Sequence, residues 1–270
     1  MSSRSARVIA VTSGKGGVGK TNVSVNLAVA LQRLERETML VDCDMGLANA
    51  NILLGVDGRW TISDLLGRHC ELEDIVLRGP GGVRLVPGHS GTGIGSRLGQ
   101  HDRSLLAHAF QPFADALDHV IVDTGSGIGS DTLDLVASSD LVLLVLSPEP
   151  TAFMDAYATV KALSVVHGCE EVAVVTNAVE GDRAGIKLFD TFAGVIGRFL
   201  DVRLSHLGSV PADPLMREAV LRKRALVDVF PSAPAARAFA RLADAIAARD
   251  LPPMLAGARF FGLEAAHGAC

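Results

Sequence analysis

The stretch Ser13-Gly14-Lys15-Gly16-Gly17-Val18-Gly19-Lys20-Thr21 determines how this chain is interpreted. It follows an apolar run at 8–11 and precedes a stretch with helical periodicity at 22–34. A strand, a glycine-rich loop and a helix in this order are the context that a phosphate-binding loop requires. The sequence therefore predicts a nucleotide-binding loop at 13–21.

Each residue type in this loop has a physical role. Glycines let the backbone curl until its N–H groups converge on phosphate oxygens; these glycines are Gly14, Gly16, Gly17 and Gly19. The helix that starts near Lys20 adds the positive end of its dipole. We expect the Lys20 ammonium to reach the outer phosphates of ATP and the Thr21 hydroxyl to bind Mg²⁺.

The second lysine of the loop, Lys15, has no task at a plain phosphate loop. The pattern Lys-Gly-Gly-x-Gly-Lys-Thr at 15–21, with Val18 as the variable residue, resembles the deviant Walker A loop of the MinD/ParA family of ATPases. The resemblance covers residues 7–250 and implies that the loop, as far as Asn22, holds ATP. It also implies a homodimer with ATP, in which Lys15 reaches the partner's nucleotide and acts like an arginine finger. A solvated loop lysine is the alternative.

The composition is that of a single domain with an aliphatic core. The chain has 270 residues, 49% hydrophobic and only 4% aromatic, enough for one well-buried α/β domain. Its net charge of −5 argues against a broad nucleic-acid-binding surface. The four cysteines are scattered without a Cys-x-x-Cys pair, which argues against a metal cluster. The short polar N-terminus and the brevity of the longest apolar run, Leu141–Leu146, predict a soluble cytoplasmic protein.

Aliphatic runs alternate with helical patterns along the chain. Predicted strands are 7–12, 38–42, 83–87, 119–123, 141–146, 172–176 and 206–210. Predicted helices are 21–36, 103–116, 131–137, 152–166, 183–199, 214–223 and 233–249. This alternation predicts an α/β fold with a doubly wound, mostly parallel sheet flanked by helices, as in P-loop NTPases. We expect one ATPase domain at 1–250, a tail at 251–270, and a glycine-rich surface loop at 88–99 that is mobile or binds a partner.

Carboxylates stand at the end of the second predicted strand, in Asp42-Cys43-Asp44. The carboxyl ends of strands beside a phosphate loop are where nucleotide chemistry takes place. The family resemblance implies that Asp44 is the switch I residue that orients the attacking water, and that Asp42 is structural. Ordinary polar residues at a strand exit are the alternative.

The strand at 120–123 ends in Asp123 and has the Walker B pattern. This pattern places Asp123 near Mg²⁺, through a water molecule, and the glycines that follow predict a switch II loop. Gly125-Ser126 replaces the pair usual in the family and makes the loop more flexible. The predicted catalytic residues are thus Lys15, Lys20, Asp44 and Asp123, and the predicted Mg²⁺ ligands are Thr21, Asp44 and Asp123.

Two later segments match the adenine-pocket positions of the family. Asn177 follows a predicted strand, and its amide can pair with an adenine edge. Pro211 and Asp213 follow the last predicted strand and are placed to wall the base. An asparagine after a strand is also a common turn residue, so an ordinary turn is the alternative.

Several segments resemble the flagellar-number regulators of the family, the FlhG/FleN branch. They include Asp44–Asn49, Thr61–Leu66, Ser147–Thr151 and Val229–Pro234. The branch implies control of flagellar number, placement and gene expression through a flagellar transcriptional activator and the flagellar GTPase. The sequence lacks the branch's Asp-Gln-Ala-x-x-Leu-Arg motif, so the GTPase contact is in question. It also has Asn51 and Asn22 where relatives carry other residues.

The tail leaves two alternatives open. Leu255, Phe260, Phe261 and Leu263 can form a weak amphipathic segment that contacts the inner face of the cytoplasmic membrane. Arg259 is its one cation, whereas membrane helices carry several. The other alternative is a tail packed on its own domain.

Rival functions depend on features that are weak in this chain. A ParA-type partitioning ATPase that binds DNA would need basic patches, and the cluster at 217–224 is the candidate. A MinD-like regulator of the cell-division site is a further alternative. Metal-cluster carriage would need paired cysteines, and a ligase would need an added substrate domain.

Overall fold

The computed structural model of the protein describes residues 6–44, 48–88 and 100–249. The predicted tail at 251–270 and nearly all of the predicted loop at 88–99 lie outside these residues. Eight strands form one sheet: β1 (Arg7–Thr12), β2 (Thr38–Cys43), β3 (Leu77–Arg78), β4 (Arg84–Val86), β5 (His119–Thr124), β6 (Leu141–Leu146), β7 (Glu171–Val179) and β8 (Arg203–Pro211). Their order across the sheet is β3-β4-β2-β5-β1-β6-β7-β8, and only the β3–β4 pair is antiparallel. This confirms the predicted doubly wound, mostly parallel sheet.

Helices connect the strands and cover both faces of the sheet. They are α1 (Lys20–Arg33), α2 (Ala50–Leu54), α3 (Ile62–Leu66), α4 (Leu72–Ile75), α5 (Gln100–Phe110), α6 (Ser130–Ala137), α7 (Pro150–His167), α8 (Asp182–Phe199), α9 (Pro214–Leu221), α10 (Leu226–Val229) and α11 (Pro234–Ala247). Short 3₁₀ turns add 80–82 and 111–116.

Alternation along the strands divides the core into two layers. In β1, Ile9 and Val11 pack with side chains of α1 and α11, whereas Val8 and Ala10 belong to the clusters on the opposite face. Neighbouring residues of a strand point to opposite faces, so a strand that is apolar throughout contributes side chains to the core on both sides of the sheet. The aliphatic composition therefore fills a two-sided core.

Most differences from the predicted elements lie at their ends. The predicted helix at 103–116 is instead α5 followed by a 3₁₀ turn, because Pro112 lacks the N–H that would continue the helix. Helix α1 ends before Glu35, and α9 ends before Lys223, both of which have left-handed φ values. The sequence pattern missed the short elements α2, α3, α4, α10 and β3, which are too brief to show a period.

The strand order decides what lies at the carboxyl edge of the sheet. β1 lies between β5 and β6, and β2 lies on the other side of β5. In register, Asp42 stands opposite Asp123, and Val11 stands opposite Asp123 on the other side. The loops that leave β1, β2 and β5 therefore meet at one place on this edge.

Candidate functional site

The glycine-rich loop wraps the start of α1 in the form that a phosphate group needs. Gly17 and Gly19 have φ values of 84° and 91°, in the left-handed region that glycine adopts readily. The helix begins at Lys20, and Val23 donates its N–H to the Gly19 carbonyl. The free N–H groups of the first turn and the helix dipole favour an anion at this point.

Backbone packing fixes the outer part of the loop. A Cβ on Gly14 would lie 2.1 Å from the backbone carbon of Asp155 and 2.3 Å from the nitrogen of Ala156, both in α7. Only glycine permits so close an approach between loop and helix. The loop is thus set against the first turns of α7.

Lys20, at the start of α1, links the end of β5 to the segment that follows β2. Its side chain is buried, and Nζ lies 3.0 Å from Asp123 Oδ1 and 3.7 Å from Asp44 Oδ2. The structure therefore brings together Lys20, Asp44 and Asp123, which come from three separate segments of the chain. The pairing offsets the desolvation of the buried lysine.

Ser24 is a member of this cluster that the sequence pattern did not identify. Its hydroxyl donates to Asp123 Oδ1 at 2.9 Å. Ser24 lies one turn after Lys20 on α1, so both side chains face the same way. That spacing is the signal through which the sequence could have revealed it.

The chemistry of this cluster suits a cation beside bound phosphates. Asp123 Oδ2 is buried and has no hydrogen-bond partner among the described residues. A buried carboxylate oxygen without a partner is unfavourable, and carboxylate and hydroxyl oxygens are the ligands that Mg²⁺ prefers. Thr21 stands at the first turn of α1, close in sequence to the lysine that contacts both carboxylates. The residues present fit Mg²⁺.

Asp42 orders the segment that carries Asp44. Its Oδ1 accepts the Asp44 N–H at 3.1 Å, and its Oδ2 accepts the N–H groups of Asn49 and Ala50 at 2.9 and 3.0 Å. Burial, and secondarily the charge of Asp123, raise the pKa of Asp42 to about 6, against the lowering effect of these hydrogen bonds. The contacts agree with the structural role expected for Asp42.

The loop after β5 lies against the phosphate-binding loop. Gly127 donates its N–H to the Ser13 carbonyl at 3.0 Å. The Ser126 hydroxyl is 3.6 Å from where a Cβ of Gly16 would be, and Asp44 Oδ1 is 4.0 Å from the corresponding point on Gly125. The loop after β5 therefore lies next to both the phosphate-binding loop and Asp44, and its role as switch II stays a prediction.

Lys15 pairs with residues that do not belong to the Lys20 cluster. Its Nζ donates to Glu149 Oε2 at 3.0 Å and to Thr151 Oγ1 at 2.9 Å, at the start of α7. The Lys15 and Glu149 side chains are 40% and 60% exposed, so the pair lies at the surface. The sequence pattern missed both partners of Lys15, although 147–151 stood out as a branch segment.

The residues predicted to line the base pocket have structural contacts or positions of their own. Asn177 Nδ2 donates to the Val18 carbonyl at 2.8 Å, so this side chain supports the phosphate-binding loop. Asp213 accepts the N–H groups of Leu215 and Ala235 at 3.0 and 3.1 Å, and it thereby joins α9 to α11. Pro211 ends β8 beside them. Contact of these residues with adenine stays a prediction.

Comparison with known proteins agrees with this geometry. The model of a family described as an AAA domain matches residues 6–170, more than half of the chain. The septum site-determining protein MinD of Pyrococcus horikoshii, solved as a complex with Mg-ADP, superposes with a TM-score of 0.71 and 26% identity, over 89% of this chain and 96% of MinD. The chain belongs to the MinD/ParA family of P-loop ATPases.

Two curated relatives are similar to this chain over most of its length. The antiactivator FleN of Pseudomonas aeruginosa is 45% identical over 246 residues, which cover 91% of this MinD/ParA-family chain and 88% of FleN. The flagellum site-determining protein YlxH of Helicobacter pylori is 32% identical over 233 residues, which cover 84% of the chain and 76% of YlxH. These relatives confirm that the chain lies close to FleN within the MinD/ParA family.

The length and apolar character of the helices bear on whether the described part of the chain could span a membrane. Among the helices within 6–44, 48–88 and 100–249, none is both long enough and apolar enough to span a bilayer.

Proposed function

We propose that this chain is a dimerising switch ATPase. ATP binding joins two copies, hydrolysis separates them, and the cycle regulates flagellar number, placement and gene expression. The observation that carries the proposal is the position of Lys15, whose Nζ contacts Glu149 and Thr151 instead of the Lys20 cluster. Because these contacts lie outside the Lys20 cluster, Lys15 can serve a nucleotide on a second copy once it leaves Glu149 and Thr151.

The residues of one copy would hold the nucleotide. Lys20 and the loop N–H groups would bind the phosphates, and Thr21, Asp44 and Asp123 would hold Mg²⁺. The bound ion would neutralise phosphate charge. Asp44, partly exposed beside Lys20, would orient the attacking water.

The second copy would complete the site. Lys15 from that copy would place a positive charge on the phosphate oxygens as negative charge develops there. Because a single copy lacks this charge, we expect the monomer to hydrolyse ATP slowly. The population of the dimer, and not the amount of product, would then carry the signal.

The flagellar part of the proposal is supported by the two relatives, one an antiactivator and one a site-determining protein. We infer that the partners are a flagellar transcriptional activator and the flagellar GTPase, acting from the cytoplasmic side. The proposed ATPase domain spans residues 1–250, and contact of the tail at 251–270 with the membrane is a further part of the proposal.

Flagella counted per cell test the function directly. A deletion strain is complemented with the wild-type chain, with Lys20→Ala or with Lys15→Ala. Surplus or misplaced flagella that only the wild type corrects are the expected result. Normal flagella in the deletion strain would contradict the flagellar role, and plasmid or chromosome loss and septum position would then be scored.

A further inference from the structure

The end of α9 and the neighbouring α2 form an exposed surface outside the nucleotide site, which we call the α2/α9 surface. It consists of Ile52, Arg217, Leu221, Arg222, Lys223 and Arg224. Leu221 is 74% exposed, more than any other large apolar side chain in the described ranges, and Ile52 is 49% exposed. Arg217 precedes Leu221 by one helical turn, so the two share a face of α9.

Contacts between the two elements make this surface continuous. A Cβ on Gly55, at the end of α2, would lie 2.6 Å from the Lys223 carbonyl oxygen and 3.7 Å from Arg224 Cδ. Ile52 lies one turn before Gly55, on the same side of the helix. The turn that follows α9 is fixed by hydrogen bonds from Lys223 and Arg224 to the carbonyls of α9, with Lys223 in the left-handed region.

The chemistry of this surface favours an acidic protein segment over nucleic acid. Two of its arginines are already paired, Arg222 with Glu218 and Arg224 with Asp228, which reduces the charge available to phosphates. The chain as a whole carries −5. Two exposed aliphatic side chains amid cations are instead complementary to apolar residues flanked by carboxylates.

The surface is also joined to the nucleotide site. The Asp42 carboxylate holds the N–H groups of Asn49 and Ala50, and these residues begin α2. Asp42 also holds the Asp44 N–H. Helix α2 therefore has one end on the segment that carries Asp44 and the other end on the turn at Lys223.

We propose that the α2/α9 surface is the docking site for an acidic, amphipathic segment of a partner protein. Its leucine and isoleucine contact the apolar side chains of that segment, and Arg217 and Lys223 pair with its carboxylates. This inference does not depend on the flagellar role.

A photo-crosslinking amino acid at position 221 of the full chain tests the proposal in the native host. The matched control carries it at Val166 in α7, which is 70% exposed. Most buried residues of α7 pack on the face of the sheet opposite to that covered by α9. We expect a crosslink from position 221, and not from 166, to a peptide that mass spectrometry identifies as acidic and apolar. Arg217→Glu with Lys223→Glu should reduce this crosslink about tenfold, because two attractions become repulsions, while ATP binding is unchanged.

Four outcomes would overturn the proposal. They are crosslinks to nucleic acid, crosslinks only to a second copy of the chain, a yield equal to that at position 166, and a yield that the charge reversals leave unchanged. ATP binding by each variant shows that it is folded, so loss of the crosslink is not a folding defect.

Discussion

The contact of Lys15 with Glu149 predicts that the free chain restrains its own dimerisation. Lys15 must leave Glu149 and Thr151 before it can reach a second nucleotide. Glu149→Gln keeps the shape of the side chain and its ability to accept a hydrogen bond, but it removes the charge. The variant should therefore release Lys15 more easily and strengthen the dimer formed with a non-hydrolysable ATP analogue.

The exposure of the pair sets the size of this effect. An ion pair with side chains 40% and 60% exposed is worth about 0.2–1 kcal/mol. Two such pairs open for each dimer, which gives about 0.4–2 kcal/mol, or a dimer dissociation constant lower by about 2- to 30-fold. Since the pair lies in water, the gain should shrink as the salt concentration rises.

Sedimentation equilibrium with the analogue measures this constant. Glu170→Gln, at an exposed glutamate before the amino end of β7 and so at the opposite edge of the sheet, is the matched control and should leave the constant unchanged. A weaker dimer for Glu149→Gln would refute the reasoning, because it would mean that Glu149 supports the dimer. An unchanged constant at low salt would show that the ion pair does not restrain Lys15.

Three further predictions follow from the buried contacts. Lys20→Ala should abolish binding of a fluorescent ATP analogue and lower the free energy of unfolding by about 3 kcal/mol, since it leaves Asp123 buried without its cation; retained binding would contradict the assignment. Gly185→Ala should lower the free energy of unfolding, measured by urea denaturation, by about 1–3 kcal/mol, because its Cβ would lie 2.0 Å from Ser209 Oγ; Gly194→Ala in the same helix meets nothing within 4 Å and should not destabilise the fold. Burial lowers the pKa of His206 below its ordinary value of 6.5, so the stability it contributes is present above pH 6.5 and is lost as the pH falls through the folded pKa. Urea denaturation at pH 7 and at pH 5 should therefore show that His206→Gln loses less free energy of unfolding than the wild type between these two pH values. Equal losses in the two proteins would refute this prediction.

The sequence was sufficient for the parts of the site that are local. Glycine spacing next to an apolar strand predicts the phosphate-binding loop and the start of α1, and an aspartate at a strand end predicts Asp123. The contacts between distant segments of the site depend on the order of the strands in the sheet, which no local sequence pattern shows. Lys15 meets Glu149 because β1 lies beside β6, and Asn177 reaches Val18 because β7 is the next strand.

Short helices escaped prediction for a different reason. Helix α2 has five residues and starts where Asp42 binds the N–H groups of Asn49 and Ala50. Helix α3 is equally short, and the Asp64 carboxylate accepts the Thr61 N–H at its start. Such elements depend on one or two side-chain hydrogen bonds and not on a repeated apolar pattern.

Sedimentation velocity of the Asp44→Ala variant with Mg²⁺ and either ATP or ADP tests the central claim most directly. Loss of Asp44 should prevent hydrolysis, so we expect a stable dimer with ATP and a monomer with ADP. Adding Lys15→Ala should return the protein to a monomer with ATP. A monomeric Asp44→Ala variant in ATP, or a double variant that dimerises equally well, would contradict the account.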